Sequence, residues 1–228
     1  MKLKARGAIF DLDGTLLNTK WRFYKVFNET ITKFGFNPIS KGHFLSIFHS
    51  DKLNQFLFPD NEKWEEKRLE FWKAFLKAYQ NATSEADHLI LGVHDTLVKL
   101  SKQHVPIAVI TGRVSPQNKI KQELDRFGIG KFFKVIVSKE EVLPKATKTR
   151  HLIDRDNELK KAAENLKIPI QECIFICDYV GDVRSGKAVG VKTVAVLSGA
   201  SARPILEAAK PDLIINSVAD LLDYVEFS

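Results

Sequence analysis

Cysteine is scarce in this chain, with 2 in 228 residues, so a disulfide scaffold is excluded. Cys173 and Cys177 flank Ile174-Phe175-Ile176 on an expected strand. They would share one face with Cα atoms about 13 Å apart at strand rise, too far for a bridge. Without nearby His partners they make a poor zinc site and read as buried packing residues. Long apolar runs are also missing, and none approaches the ~20 residues of a membrane span. Zinc-finger spacing, aromatic RNA-binding motifs, internal repeats and low-complexity segments are absent as well. Met1-Lys2-Leu3-Lys4-Ala5-Arg6 runs straight into an apolar strand and leaves no room for a signal peptide. These absences predict a cytoplasmic protein that partners neither nucleic acid nor membrane.

What is present is ordinary for a globular chain: 44% hydrophobic and 28% charged residues. The length allows one large domain or two small ones. A net charge of +7 and a pI of about 9.3 could point to a polyanion. The lysines, however, are interspersed with acids, as in Asn61-Glu62-Lys63-Trp64-Glu65-Glu66-Lys67-Arg68, which is the pattern of a solvated helix face.

After Thr15 apolar residues recur at helical intervals: Trp21, Tyr24, Val26, Phe27, Ile31 and Phe34. Gly35 ends that segment, and Ser40 is placed to cap a second short helix within 43–56. A longer amphipathic helix is expected over 62–80, with Trp72, Phe75, Leu76 and Tyr79 on its apolar side. Residues 18–91 thus read as an all-helical block whose aromatics form a core. From Gly92 strands and helices alternate, with strands at 106–110, 133–137, 173–177, 192–197 and 212–215 and a long polar loop after Val137. This order predicts a doubly wound parallel α/β sheet. The first strand joins the same sheet, so the expected domains are a Rossmann-like core, 1–17 and 92–228, and an inserted cap, 18–91.

The most informative stretch opens the core. Ala8-Ile9-Phe10 leads directly into Asp11-Leu12-Asp13-Gly14-Thr15. Asp11 and Asp13 are two apart, so in extended backbone their side chains point the same way, at the strand end where open α/β sheets place ligands. Two like charges there repel unless a cation sits between them or one carboxyl holds a proton. An isolated Asp-x-Asp-Gly is most often a solvated turn.

The longer string Phe10-Asp11-Leu12-Asp13-Gly14-Thr15-Leu16 resembles the first motif of the haloacid dehalogenase-like superfamily. Three further segments resemble that family's later motifs, in order: Thr111-Gly112-Arg113, the lysine-bearing Pro144-Lys145-Ala146-Thr147-Lys148, and Asp178-Tyr179-Val180-Gly181-Asp182. The helical insertion resembles the C1-type cap, and the overall likeness is to the phosphoglycolate phosphatase and β-phosphoglucomutase branch. The resemblance implies an enzyme, a phosphoric monoester hydrolase acting on a small phosphorylated metabolite with Mg²⁺ as cofactor. It implies Asp11 as nucleophile and Asp13 as acid/base. The metal would be held by Asp11, the backbone of Asp13, and Asp178, with Asp182 as a ligand or supporting acceptor. It implies Thr111, Gly112 and Lys145 around the phosphate, with Lys148 the alternative to Lys145. Arg113 either joins them or only solvates the rim. The third motif departs from the pattern, because its usual prolines are missing and residues 151–156 intervene before the next helix. Phe23 stands where β-phosphoglucomutase-like proteins carry His. Arg22, His49 and Lys52 are candidate substrate contacts in the cap, and otherwise surface residues. A phosphotransferase or mutase and a non-catalytic binding protein are the alternatives, as monomer or homodimer.

Overall fold

The computed structural model describes residues 2–59, 61–143 and 148–228. The chain runs through β1 (Leu3–Ala5), β2 (Gly7–Asp11) and the two-residue β3 (Leu17–Asn18). Helices α1 (Lys20–Lys33), α2 (Lys41–His49), α3 (Leu53–Leu57) and α4 (Glu65–Tyr79) follow, then β4 (His88–Leu89). The alternating part is α5 (Val93–Lys102), β5 (Ile107–Thr111), α6 (Gln117–Arg126), β6 (Val135–Ser138), α7 (Lys139–Val142), α8 (Thr149–Ile153), α9 (Asp156–Leu166) and β7 (Cys173–Cys177). It ends with α10 (Val180–Val189), β8 (Lys192–Val196), α11 (Arg203–Ala209), β9 (Leu213–Ile215), α12 (Leu221–Tyr224) and β10 (Val225–Phe227).

Six strands form one parallel sheet in the order β6-β5-β2-β7-β8-β9. The central strands are apolar at successive positions because both faces are covered. Ala8, Phe10, Val109 and Ile176 pack with Leu97 and Leu100 of α5 and Leu124 of α6. Ile9, Ile110 and Phe175 pack on the other side with Leu159, Val183 and Leu206 of α9, α10 and α11. Cys173 and Cys177 belong to that second layer, buried and unpaired. The strand order reverses between β2 and β7, which leaves a crevice beyond the carboxyl ends of those two strands.

The inserted helices build their own aromatic core around Phe27, Phe44, Phe71 and Phe75. Ser40 caps α2, its hydroxyl accepting the His43 N–H at 3.2 Å. The insertion is not wholly helical. At its two crossings β3 and β4 pair antiparallel, Leu17 with Leu89 and Asn18 with His88, so backbone groups at both junctions find partners. The expected second helix is two, α2 and α3, separated at Asp51, whose φ of +58° breaks the helix. The expected loop after β6 contains α7 and α8, and α8 packs against α4 of the cap. Near the two ends of the chain, β1 pairs in parallel with β10, a pairing of three residues that periodicity does not reveal.

Candidate active site

Asp11 ends β2 and Asp178 follows directly on β7, so their carboxylates flank the point where strand order reverses. A cavity of about 200 Å³ lies over these strand ends. Asp11, Asp13, Gly14, Gly112, Asp178 and Asp182 line its core side. Phe23, Phe48, Trp72 and Phe75 line the cap side, and Leu152 and Ile153 of the α8 segment close part of the wall.

The turn after β2 is shaped by its own backbone and by Asp178. Gly14 takes a φ of +89°, and a Cβ there would lie 2.2 Å from Asp178 Oδ2, so only glycine fits both the turn and the close approach. The Thr15 hydroxyl donates to Asp178 Oδ1 at 3.0 Å, and the Ala200 N–H donates to Asp178 Oδ2 at 2.6 Å. Asp178 is nonetheless pushed up to about 7, burial outweighing those hydrogen bonds with help from the negative charge of Asp182. Asp11 is raised well above the ordinary carboxylate range, first by burial, then by the charges of Asp182 and Asp178. Burial likewise raises Asp182 against the pull of Arg155.

Asp13 has the opposite environment. Arg113 grips it bidentately, Nε to Oδ2 at 2.7 Å and Nη2 to Oδ1 at 2.5 Å. The Thr19 hydroxyl donates to Oδ1 at 2.7 Å and Tyr79 of α4 donates at 3.2 Å. Burial alone would raise its pKa, but Arg113, then Arg22 and Thr19, more than reverse this and hold it well below the usual range. Arg113 also bonds Glu123, which accepts from Arg22 at 2.5 Å, and Arg22 donates to Asp87 at 2.9 Å. Both guanidinium groups lie over the Tyr79 ring, at 5.4 and 5.5 Å. Arg113 therefore does more than solvate the rim. Arg22, expected to contact substrate or water, is instead 2% exposed and fixed in this core-to-cap network. His49 joins α2 to the core through Nδ1 and the Ala200 carbonyl, 2.7 Å apart, while Lys52 is exposed. Neither lies among the residues lining the cavity.

Thr111 is buried at the end of β5, and its hydroxyl accepts the Arg113 N–H at 3.3 Å. Gly112, not Thr111, lines the cavity. Lys145 lies outside the described residues, and Lys148 is exposed just before α8. Arg155, immediately before α9, reaches the cavity, which Arg113 also lines. A Cβ on Gly112 would meet Arg155 Nη2 at 2.3 Å, so glycine there makes room for the guanidinium. Arg155 Nε stands 3.4 Å from Asp182 Oδ1 in an ion pair without hydrogen-bond geometry. Behind it Glu158 is paired with the buried Lys139 at 2.6 Å. Lys20 at the start of α1 also lines the cavity, close enough to feel the charge of Asp178.

The set of Asp11, Asp178 and Asp182 is all oxygen, buried, and mutually repulsive, and Asp182 Oδ1 has no hydrogen-bond donor. Such a donor set suits a hard divalent cation of the Mg²⁺ type. As the side chains stand, no three His, Cys, Asp or Glu among the described residues converge on a single metal position. No helix among the described residues is long and apolar enough to cross a membrane.

A family model described as "Haloacid dehalogenase-like hydrolase" matches residues 8–196. The chain is 27% identical over 220 residues to a pyrophosphatase, PpaX, of Bacillus mycoides, covering 96% of each protein. It superposes on a putative haloacid dehalogenase-like hydrolase from Bacteroides fragilis with a TM-score of 0.74 at 21% identity, covering 95% of this chain and 99% of that one. A predicted phosphoglycolate phosphatase from Haemophilus somnus gives 0.70 at 21% identity, covering 96% and 97%.

Proposed function

The chain belongs to the haloacid dehalogenase-like hydrolases, a family whose members are typically Mg²⁺-dependent, and we propose that it is a phosphatase that cleaves a small phosphorylated metabolite through an aspartyl-phosphate. The observation that carries this reading is the buried all-oxygen group at the strand ends, Asp11 with Asp178 and Asp182, and Asp13 two residues on in the grip of Arg113. Burial and the neighbouring acids favour a proton on Asp11 while Arg113 keeps Asp13 ionised, so Asp11 needs a cation beside it before its carboxylate can attack.

In the proposed reaction an Asp11 carboxylate oxygen attacks phosphorus and the alcohol leaves, taking a proton from Asp13. Water then attacks the aspartyl-phosphate, Asp13 takes the water's proton, and inorganic phosphate leaves as Asp11 returns to a carboxylate. Held ionised by Arg113, Asp13 is set as the base of the second step. Protonating the leaving oxygen requires that grip to weaken when substrate enters. Gly112 backbone and Arg155 are placed beside Asp11 to neutralise the transferring oxygens. We assign Arg155 the charge role expected of Lys145, because it already lines the cavity. Asp11, the Asp13 carbonyl and Asp178, with Asp182 in support, would hold Mg²⁺. That ion would offset the repulsion among these carboxylates and the phosphate.

We take residues 1–17 and 92–228 as the catalytic core and 18–91 as the cap that shields the cleft from water. Between the two alternatives, a phosphatase fits better than a mutase. Phe23 lies in a ring cluster 4.7 Å from Phe75, an apolar place that offers no proton transfer. The test is phosphate release from a generic monoester with and without Mg²⁺. Mg²⁺-dependent release is expected. No release with Mg²⁺ present, from a folded protein, would leave the fold as a binding scaffold.

A further inference from the structure

The cap side of the cleft differs in chemistry from the phosphate side. Charged groups collect at the strand ends, where Asp11, Asp13, Asp178, Asp182, Arg155 and Lys20 meet. Beyond them the wall is Phe23, Phe48, Trp72 and Phe75, with Leu152 and Ile153 facing from α8. The rings are already assembled: Phe23 is 5.3 Å from Phe48, and Trp72 is 5.3 Å from Phe75 in an edge-on arrangement. Two arginines near this wall have other commitments. Arg113 is engaged by Asp13 and Glu123, and Arg22 by Glu123 and Asp87. Asp51, which also lines the cleft, accepts from the Tyr179 hydroxyl at 2.7 Å. Asn54 has its side-chain oxygen occupied by the Trp72 indole N–H at 2.6 Å, which leaves its amide as a neutral donor.

A carboxylate or second phosphate on the organic part would be desolvated against these rings beside the Asp51 carboxylate, while Lys20, the lining cation that no ion pair engages among the described residues, lies within the field of Asp178 on the phosphate side. A flat apolar group would gain buried area and edge-to-face ring contacts there. Building on the phosphatase reading, we infer that the substrate is the phosphate ester of an uncharged, ring-bearing alcohol, its ring seated between the aromatic side chains of α1, α2 and α4 and the aliphatic ones of α8. The residues that intervene between the third motif and α9 thus contribute to specificity, because they supply Leu152 and Ile153.

The test compares three non-hydrolysable phosphonates by calorimetric titration in Mg²⁺. They are 3-phenylpropylphosphonate, propylphosphonate and 4-phosphonobutyrate, the last carrying a carboxylate in place of the ring. The phenyl compound should bind at least about tenfold more tightly than either of the others, as burial of a ring in an apolar pocket gives. Trp72→Ala and, separately, Ile153→Glu should each reduce that preference to about threefold or less. The second variant guards against Trp72→Ala failing to fold. The matching phosphate esters are assayed for turnover alongside. Equal or reversed affinities, no measurable binding of the phenyl compound, or a preference untouched in both folded variants overturns the inference. The expected binding order without turnover of any ester keeps the inference and overturns the phosphatase reading. Turnover without ring preference does the reverse.

Discussion

Replacing Arg113 with Met removes the group that sets the charge of Asp13 while keeping most of its volume. The bidentate contact, at 2.7 and 2.5 Å, is the largest influence opposing burial on that carboxylate. Two unit charges about 4 Å apart in a medium of effective dielectric about 20 interact by about 4 kcal/mol. Asp13 keeps 26% side-chain exposure, and Arg22, Thr19 and Tyr79 stay nearby, so water and these neighbours recover part of the loss. We expect the Asp13 pKa to rise by one unit or more, about 1.4 kcal/mol. The titration of the Asp13 side-chain carboxyl carbon, followed by ¹³C NMR in Mg²⁺-free protein, reports that pKa directly. That titration should move to higher pH by at least about one unit in Arg113→Met, and activity should fall. Glu123 and Asp13 also lose a buried partner, which costs roughly 2–3 kcal/mol after discounting for exposure, or about 5–10 °C in Tm for a chain of this size. A carboxyl titration that stays in place in a folded variant would refute the claim that Arg113 holds Asp13 ionised. A lower rate alone would not support it, since a merely structural residue would also lower the rate.

Three other outcomes are expected. Arg155→Gln should cut kcat by roughly two powers of ten, while Lys148→Ala stays near the parent. Equal damage from Lys145→Ala with Arg155→Gln unaffected would return the role to Lys145. With a ³²P-labelled activated ester, rapid quench should trap label on Asp13→Asn but none on Asp11→Asn, because a good leaving group hardly needs protonation. Label on the Asp11→Asn protein would reverse the assignment. In EDTA, Asp178, pushed up to about 7, and Asp11 and Asp182, also raised, hold protons in the folded chain that the unfolded chain releases near its ordinary carboxylate pKa. The folded state then binds more protons than the unfolded one, so stability falls as pH rises from about 4 to about 7. Tm should be roughly 5 °C lower at pH 8 than at pH 5, and Mg²⁺ should raise it mainly at pH 8. A Tm that climbs with pH in EDTA, or an equal Mg²⁺ effect at both values, would count against the carboxylate cluster as the metal's place.

Which parts of this molecule could be read from the chain follows from where each residue finds its partners. Ile9, Val109 and Ile176 announce strands because burial on two faces demands apolar residues in succession, a local pattern. Asp11 and Asp13 are legible because both lie on one turn, and their chemistry is visible without any distant residue. Arg22 and Arg113 are not legible in that way. Each carries a charge that reads as solvent-facing until its acceptors are known, and those acceptors, Asp87, Glu123 and Asp13, come from separate segments brought together only by folding. Tyr79 is half legible: its place on the apolar side of α4 predicts burial, but not a hydroxyl bonded to Asp13. Arg155 stood nearer to view. The third motif calls for a cation closely before a helix, and Arg155 immediately precedes α9, whereas Lys148 is separated from it by α8. Counting back from the helix finds Arg155, while counting forward from β6 leads to Lys145. Helix starts are fixed by backbone geometry and strand ends by the sheet, and an intervening segment such as 151–156 spoils only the count that crosses it. In a chain whose motifs straddle extra residues, the element that physically presents the side chain is the reliable origin for the numbering.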